Sequence, residues 1–513
     1  MTDQPNIILV MVDQLTAFAL SSYGNTVTKP PNLDDFSQRA VVFENAYCNY
    51  PLCAPARFAM MTGRLPSNIA AYDNASELPA SIPTFAHYLR DAGYYTCLSG
   101  KMHFVGPDQH HGFEDRLTTE IYPADFSWTP PVTYENWSDP ELNQEDGPAP
   151  GVSSVETITE SGPRARSMQM DYDGEVIHRS CQHLYDYARQ SDNRPILMTV
   201  SFTQPHDPYV SSQPFWDLYC DEDIDQPKVP PIPIDQMDPH SRSLYFHYSL
   251  NKFPISDHVY RRARRGYYAM ISDIDAKFGQ LMQTLNECRM NKNTVVLFTS
   301  DHGDMIGERG LWFKKTLFDP AIRIPMMIHW PGKFESHRIH DPVSLVDILP
   351  SLLDIGGISS GRLTTPIDGK SLLKTDRSQP VCAEHLDGGT RAPRVMMRIR
   401  EQKIVYSQAY PAQLYDLSSD PNEIRNLADH PDWQTTYAKM VSEVESKWDL
   451  TALRNDIINN QRTRQLLHRS LNQGRKQDWE HYPNPHRYHT RWVREGDFFP
   501  EAEQRGYLDY PFE

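Results

Sequence analysis

Short apolar runs that end in polar residues alternate along much of the chain with longer amphipathic stretches. Four runs stand out: Ile7–Val12, Tyr94–Leu98, Ile196–Phe202 and Val295–Phe298. Unbroken apolar runs of this length are typical of strands buried on both faces. Their alternation with helical patterns predicts an α/β fold with a large, mostly parallel sheet and helices on both of its faces. The longest helical pattern, over about 261–285, has apolar residues three or four positions apart and predicts a packing helix.

The polar residues that follow these runs predict the location of a site. Ligands of open parallel sheets bind at the carboxyl ends of the strands. The residues at or just beyond these ends are Asp13, Lys101, His206, Asp301 and His302. We therefore expect these five side chains to lie close together.

The pattern changes in the C-terminal part of the chain. Short antiparallel strands are predicted within 381–427, with 403–406 and 413–417 on either side of a turn, followed by a helix. After Trp448 the chain is polar but rich in aromatic residues, which predicts a tail that docks on a neighbouring surface, with another subunit as one candidate. We predict a catalytic α/β domain over 1–375, an α+β subdomain over 376–450 and a tail over 451–513. The segment from 128 to about 166 is rich in Pro, Gly and acidic residues and predicts a loop or lid over the site.

Charge and cysteine content narrow the class of protein. The 513 residues include 50 basic and 67 acidic side chains, a net charge of −17, which excludes a protein built to coat nucleic acid or an anionic membrane. No run approaches the ~18 apolar residues of a membrane span, and the first strand lacks the flanks of a secretion signal. We expect a cytoplasmic protein. Seven cysteines without a CxxC pair disfavour a disulfide framework or a zinc knuckle.

One of these cysteines begins the pentapeptide Cys53-Ala54-Pro55-Ala56-Arg57, which a helix-like run to Gly63 follows. The pattern CxPxR resembles the motif in which type I sulfatases have their cysteine oxidised to Cα-formylglycine. The resemblance implies that the hydrate of this aldehyde is the nucleophile, placed at a helix N-terminus that favours anions. It also implies a formylglycine-generating maturation enzyme as a partner. The alternative for Cys53 is a buried structural thiol.

A divalent metal is expected beside this residue. Asp13 and Asp301 offer hard carboxylate oxygens, and the predicted ligand set is Asp13, Cys53, Asp301 and His302. Sulfatases have two acidic residues at the first position and an Asp-Asn pair at the later one, whereas this chain has Asp13-Gln14 and Asp301-His302. We expect Ca²⁺, with Mn²⁺ or Mg²⁺ as alternatives, and an imidazole ligand favours Mn²⁺. The other interpretation is that the carboxylates cap loops.

Three further segments resemble the family: Gly100-Lys101-Met102-His103, Pro205-His206-Asp207-Pro208 and Leu311-Trp312-Phe313-Lys314. The resemblance covers residues 5 to about 430 and implies the alkaline-phosphatase-like fold. It implies that Lys101 and Lys314 hold the sulfate and that Arg57 supports the nucleophile. It further implies that His103 takes a proton from the hydrate and that His206 protonates the leaving oxygen.

A narrower resemblance, to bacterial choline-sulfatases, rests on Tyr72-Asp73-Asn74, the segment 99–109 and the segment 121–126 with Trp128. It implies a homo-oligomer, a dimer or tetramer, and Asn74 and Trp128 as substrate-binding residues. An aromatic face suits a trimethylammonium group, although a buried core Trp is the alternative. The carboxylate of that branch has no clean match. Glu384 or Asp387 could substitute, whereas Arg391 and Arg394 favour an anionic or sugar aglycone.

The predicted function is hydrolysis of a small sulfate monoester by a formylglycine-dependent sulfuric ester hydrolase, with choline sulfate as the leading substrate. One alternative is another small alkyl, aryl or sugar sulfate. A second is a phosphate or phosphonate monoesterase on the same scaffold. A third is a binding protein whose site never matures.

Overall fold

A computed structural model describes residues 4–130, 153–190, 192–376, 378–483 and 504. Most of the predicted lid and the far end of the predicted tail lie outside these residues. No helix in the described part of the chain is long and apolar enough to cross a membrane.

The strands, numbered in chain order, are β1 Asn6–Val12, β2 Val41–Phe43, β3 Ala46–Tyr47, β4 Tyr95–Gly100, β5 Asp115–Arg116, β6 Gly162–Pro163, β7 Ile196–Ser201, β8 Val210–Ser211, β9 Thr294–Ser300, β10 Arg323–Ile324, β11 Met326–His329, β12 His337–Ile339, β13 Val343–Ser344, β14 Val381–His385, β15 Arg394–Ile399, β16 Gln402–Ser407 and β17 Gln413–Asp416.

The α-helices are α1 Pro31–Arg39, α2 Cys53–Thr62, α3 Phe85–Asp91, α4 Val155–Thr159, α5 Met168–Arg189, α6 Gln213–Trp216, α7 Pro239–His247, α8 Asp257–Glu287, α9 Asp319–Ile322, α10 Ile348–Ile355, α11 Gln434–Lys447 and α12 Leu450–Leu471.

The largest sheet has the strand order β12-β2-β11-β9-β1-β7-β4-β5. The four strands predicted from the apolar runs are β1, β4, β7 and β9, and they lie side by side in parallel, with Leu9 opposite Thr199 on one side and Leu297 on the other. The predicted mostly parallel sheet is therefore confirmed. The strand β11 pairs antiparallel with both β9 and β2.

Helices cover both faces of this sheet, as predicted. Along β1, Ile8, Val10 and Val12 belong to the apolar cluster that includes residues of α1, α5 and α8. The alternate residues Ile7, Leu9 and Met11 belong to the cluster that includes residues of α2, α3 and α10. Side chains alternate across a strand, so a continuous apolar run supplies both cores at once. The predicted packing helix is α8, which starts slightly earlier and ends slightly later than its apolar pattern.

The C-terminal strands β14 to β17 form a separate antiparallel sheet, as predicted. Apolar residues of α11 and α12 pack on it. The first part of the predicted tail is thus a helix docked on its own chain. Residues beyond α12 continue over the region near Ala124, whose backbone N–H donates to the Glu480 carboxylate, and the ring of Trp479 packs against Phe126. The domain limits at 375 and 450 and the oligomer stay predictions.

Candidate active site

The polar residues at the strand ends meet at one edge of the large sheet. Asp13 directly follows β1, Lys101 follows β4 and Asp301 follows β9. All three side chains are fully buried. His206 lies on the loop after β7, and only 4% of its surface is exposed. The convergence expected from the strand pattern is present.

Cys53 is the first residue of α2, and its thiol lies among these groups. The Cys53 Sγ is 3.3 Å from His302 Nε2, 3.4 Å from Lys314 Nζ and 3.7 Å from Asp13 Oδ1. At the start of α2 the next backbone N–H, of Ala54, donates to the side-chain oxygen of Asn74 at 3.1 Å. A helix N-terminus and an ammonium group therefore face the same sulfur.

Arg57 joins several strand ends. It lies one helical turn after Cys53, so both side chains leave the same face of α2. Its guanidinium donates to Asp301 Oδ2 at 2.8 Å, to Asp13 Oδ2 at 3.0 Å and to the Lys101 carbonyl at 2.5 Å. It also donates to the hydroxyl of Ser201, the last residue of β7, at 2.8 Å. The spacing of the CxPxR motif thus lets one helix carry both the reactive residue and its electrostatic anchor.

The four predicted metal ligands form a compact group. One ligand atom each from Asp13, Cys53, Asp301 and His302 lies within 4.8 Å of the others. The second carboxylate oxygens of Asp13 and Asp301 are held by Arg57, while His302 Nε2 lies 3.7 Å and 3.8 Å from their first oxygens. The other ring nitrogen of His302 is 2.9 Å from the Gly303 carbonyl, so Nε2, which faces Cys53 Sγ, is the nitrogen that can bind a cation. This donor set of oxygens and one imidazole fits a divalent metal.

Gln14, next to Asp13, lies outside this group of ligand atoms. Its side-chain oxygen accepts from Lys314 Nζ at 2.8 Å, and its amide nitrogen donates to Asp304 at 2.6 Å and to Asp207 at 3.1 Å. The backbone φ of Gln14 is +65°, a left-handed conformation that is uncommon for a residue other than glycine. Gln14 therefore positions Lys314. Sequence reasoning assigned no role to Asp207 or Asp304, although both lie in the predicted segments.

Lys314 and His206 form the opposite wall. Lys314 Nζ is 2.6 Å from His206 Nε2, and His206 Nδ1 is 2.6 Å from the Asp207 carbonyl. The imidazole and the ammonium group therefore approach the Cys53 position from the same side. Such a pair can hold an anionic oxygen and deliver a proton to a neighbouring one.

Strong electrostatic coupling marks the centre. Burial alone would raise the pKa of Asp13, but Lys101, His206 and Arg57 hold it well below its usual range. Burial and Asp13 raise the pKa of the Cys53 thiol, and the ammonium groups of Lys101 and Lys314 more than offset them, so its pKa is lowered. A site with this balance favours an anionic group at position 53.

His103 is fully buried, and neither of its ring nitrogens has a hydrogen-bond partner among the residues that the structure describes. Burial, with the charges of Lys101 and Arg57, lowers its pKa well below the usual range, so the ring is neutral and able to accept a proton. Its ring centroid is 5.0 Å from that of Tyr122 and 5.9 Å from that of Trp128.

These rings continue the site outward. The ammonium group of Lys101 lies 4.1 Å from the ring centroid of Tyr122, which itself packs 5.1 Å from Trp128. Trp128 is 8% exposed, and its indole N–H has no partner in the described part of the chain. Sequence reasoning assigned no role to Tyr122, although it lies in the segment 121–126 that resembles bacterial choline-sulfatases.

The side chains considered for the missing carboxylate are engaged elsewhere. The buried Glu384 accepts from the Ser67 N–H and hydroxyl and from the Trp448 indole at 2.6–2.8 Å, so it joins β14 to the segment after α2 and to the end of α11. Asp387 forms an ion pair with Lys315 at 2.6 Å. Three donors already hold Glu384, and its substitution for that carboxylate stays a prediction.

The two arginines near this loop differ. Arg394 is buried, donates to His240 and lies over the ring of Tyr410, and burial lowers its pKa to about 10. Arg391 is exposed, and its backbone N–H donates to the Tyr410 hydroxyl. Arg394 has no hydrogen bond or ion pair with the residues around Cys53 in the described part of the chain.

Comparisons with known proteins agree with this geometry. The sulfatase family model matches residues 5–358. The chain is 42% identical over 496 residues to a choline-sulfatase of Rhizobium meliloti (strain 1021), which covers 94% of each chain. It is 28% identical over 460 residues to an arylsulfatase of Clostridium perfringens, covering 84% of this chain and 92% of the relative.

Solved structures share the fold. A phosphonate monoester hydrolase of Agrobacterium radiobacter superposes with a TM-score of 0.68 at 22% identity, covering 88% of this chain and 96% of that one. A 2-O GAG sulfatase superposes with a TM-score of 0.64 at 20% identity, covering 88% and 93%.

Proposed function

The chain belongs to the sulfatase family and is a sulfuric ester hydrolase, and we propose that its substrate is a small sulfate monoester, choline sulfate first, which it cleaves with a formylglycine formed from Cys53. The observation that carries the proposal is the position of Cys53 at the start of α2, between the ammonium group of Lys314 and the group of Asp13, Asp301 and His302.

The nucleophile needs a chemical change at Cys53. A thiol that attacked sulfur would remain as a stable adduct, whereas the hydrate of an aldehyde can release sulfate and return to the aldehyde. The oxidation requires an external oxidant and is catalysed by a formylglycine-generating maturation enzyme. Arg57 and Lys101 then hold the neighbouring carboxylate of Asp13 in its ionised form.

The remaining side chains divide the proton transfers. One hydroxyl of the hydrate has already lost its proton to water, as the charge balance around position 53 favours, and its oxygen attacks sulfur as the bond from sulfur to the ester oxygen breaks. The protonated imidazole of His206 gives a proton to the departing alkoxide, which leaves as the alcohol. The neutral ring of His103 takes the proton of the second hydroxyl, and sulfate leaves as the aldehyde re-forms. Lys101 and Lys314 balance the charge of the sulfate oxygens throughout.

A divalent metal fits the group of Asp13, Cys53, Asp301 and His302, with Ca²⁺ as the first candidate and Mn²⁺ or Mg²⁺ as alternatives. When bound, such an ion supplies Lewis-acid stabilisation of negative charge at the sulfate. The carboxylates are already fixed by Arg57, so the ligand group is preorganised.

Choline sulfate is supported by two observations. The relative of Rhizobium meliloti is named a choline-sulfatase and is 42% identical over most of both chains. In addition, Trp128 and Tyr122 form an aromatic wall beside His103, and aromatic faces attract quaternary ammonium groups. Asn74 is held at the start of α2 and is proposed to line the same wall.

The test is a substrate panel on protein made in a host that contains the maturation enzyme. Mass spectrometry of the peptide that holds Cys53 should find aldehyde in place of thiol. We expect kcat/KM for choline sulfate to exceed that for nitrophenyl sulfate by at least about tenfold, since the ammonium group adds about 1–2 kcal/mol of binding. Turnover of nitrophenyl phosphate should be far slower.

The Cys53→Ala variant is the matched control and should lack turnover of every ester. An unmodified thiol in the active wild-type protein would contradict the formylglycine. Faster cleavage of nitrophenyl phosphate or a phosphonate monoester than of any sulfate would instead assign the site to a phosphoryl substrate.

A further inference from the structure

A second cavity lies beside the active centre and shares no lining residue with the proposed catalytic or metal-binding groups. It encloses about 140 Å³ between the loop after β1, the loop after β9 and residues 421–423. The catalytic chemistry proposed above leaves this space without a role.

Each acidic side chain that lines the cavity has a hydrogen-bond or ion-pair partner. Asp225 receives two hydrogen bonds from the guanidinium of Arg264, at 3.0 Å and 2.7 Å. The two oxygens of Glu308 accept the backbone N–H groups of Lys228 and Val229 at 3.0 Å and 2.8 Å. A third acid, Glu423, pairs with a lysine outside the cavity at 2.6 Å.

Two basic side chains on the same wall have no acidic partner among the described residues. Lys228 is exposed, its Nζ lies 4.8 Å from the ring centroid of Phe18, and it forms no ion pair there. Arg309 is largely buried, and in the described part of the chain its guanidinium donates to the carbonyls of Asn422 and Glu423 and lies 4.0 Å from the ring of Phe318. A buried guanidinium without a carboxylate is costly unless an anion completes it.

The wall also offers a neutral donor and an apolar surface. Thr16 is fully buried, and its hydroxyl has no hydrogen-bond partner in the described chain. A buried hydroxyl of this kind costs about 1–3 kcal/mol until it is paired. Phe18, Val229, Pro320 and Pro421 supply the apolar part of the lining.

The cavity is preformed. The Thr16 N–H donates to the Tyr267 hydroxyl at 3.0 Å, and this hydroxyl donates to the Gln14 carbonyl at 2.7 Å. On the other side, the carbonyl of Ile306 accepts from the Arg264 guanidinium, and the backbone N–H of Ile306 donates to the Asp304 carboxylate. Rigid walls lower the entropy that a ligand must lose on binding.

We propose that this cavity binds a small organic anion, with its carboxylate between Lys228 and Arg309, a hydrogen bond from the Thr16 hydroxyl and its apolar body against Phe18. The ligand must carry a negative charge because Lys228 and Arg309 have no acidic partner among the described residues. It must carry an apolar group because the ring of Phe18 and the two prolines line the rest of the cavity. The site is separate from the sulfate-binding centre.

Calorimetric titration of the full-length protein tests the proposal, with benzoate as the probe, benzyl alcohol as the neutral match and inorganic sulfate as the anion without an apolar body. Benzoate should bind, and an excess of choline sulfate should not displace it. The Lys228→Met variant should bind benzoate at least about tenfold more weakly. The isosteric Thr16→Val variant should bind it about threefold more weakly or worse.

Lys29→Met is the matched control, because Lys29 is also exposed and lies 5.3 Å from a tyrosine ring, outside the cavity. Its affinity for benzoate should equal that of the wild type. The proposal is overturned if benzoate does not bind, if Lys228→Met and Lys29→Met bind it equally, or if choline sulfate displaces it. Equal affinity for benzyl alcohol or for inorganic sulfate would likewise overturn it.

Discussion

The two ends of the proposed substrate site are built in different ways. At the sulfate end, Asp13, Arg57, Lys101 and Asp301 are fully buried and joined by ion pairs that start from strand ends. At the alcohol end, Trp128 lies on a short 3-10 helix, Phe126–Trp128, next to a segment outside the described residues.

The alcohol end also depends on a distant part of the chain. Arg464 of α12 donates twice to Asp73 at 2.6–2.7 Å, and Gln465 donates to the Pro130 carbonyl at 3.0 Å. Residues more than 300 positions away therefore hold the segments that carry Asn74 and Trp128. The sheet positions the residues that cleave the sulfate ester, whereas loops held by α12, here called the C-terminal brace, position the residues that bind the alcohol. Changes in these loops can therefore alter which alcohol is bound without altering the cleavage chemistry.

The largest effect is expected when the anchor of the sulfate end is removed. Arg57→Met removes the guanidinium from two buried carboxylates, of which Asp13 keeps its ion pair with Lys101. We therefore expect kcat/KM to fall by about 10³ or more and the free energy of unfolding to fall by about 3–5 kcal/mol. Turnover of choline sulfate and of nitrophenyl sulfate should fall equally. Steady-state kinetics measure the turnover, and chemical denaturation measures the free energy of unfolding.

Arg194→Met provides the control, because Arg194 also pairs with two carboxylates but its side chain is 40% exposed. Its stability should change by about 1 kcal/mol or less. If Arg57→Met were no more damaging than Arg194→Met, the sulfate end would not depend on this network.

Lys314→Met should act on the sulfate end with a smaller effect. Loss of one ammonium group beside the sulfate oxygens is expected to lower kcat by about 10²–10³ for both sulfate esters. Its neighbour offers the matched control, since Lys315 pairs with Asp387 at 2.6 Å instead. Lys315→Met should keep kcat within about threefold while lowering stability. A loss confined to choline sulfate would move Lys314 to the alcohol end.

The same division explains what the sequence could predict. The strands β1, β4, β7 and β9 follow from apolar runs, and parallel strands bring Asp13, Lys101 and Asp301 to one edge whatever the loops do. Cys53 and Arg57 are linked by helical spacing. These positions depend on local pattern and on one rule of topology.

Other features depend on tertiary contacts that no local pattern reports. In the sequence, Gln14 resembles an ordinary polar loop residue. Its positioning role is visible only from its left-handed backbone and from its hydrogen bonds with Lys314 and Asp304. Glu384 was a reasonable carboxylate by sequence, but Ser67 and the indole of Trp448 reach it from distant parts of the chain. The role of α12 as a brace was hidden for the same reason.

Trp128→Ala tests the alcohol end and should weaken binding of choline sulfate more than binding of nitrophenyl sulfate. We expect KM for choline sulfate to rise about tenfold or more, because a desolvated cation–π contact contributes up to about 2 kcal/mol, while KM for nitrophenyl sulfate changes by less than about threefold. Trp128→Phe keeps an aromatic face and should recover most of the affinity. Equal rises for both esters would mean that Trp128 packs the site and does not recognise the ammonium group.

The smallest effect on catalysis is expected from Glu384→Gln. Burial raises the pKa of Glu384, and its oxygens are occupied by Ser67 and Trp448. The amide keeps the shape but places an N–H₂ group against one of these donors, so the free energy of unfolding should fall by about 1–3 kcal/mol. KM for choline sulfate should stay within about twofold, because the side chain supports the C-terminal sheet and does not meet the substrate. A rise in KM for choline sulfate with an unchanged KM for nitrophenyl sulfate would make Glu384 the partner of the ammonium group. In that case β14 of the C-terminal sheet, which carries Glu384, would bind the alcohol directly and would be part of the substrate site.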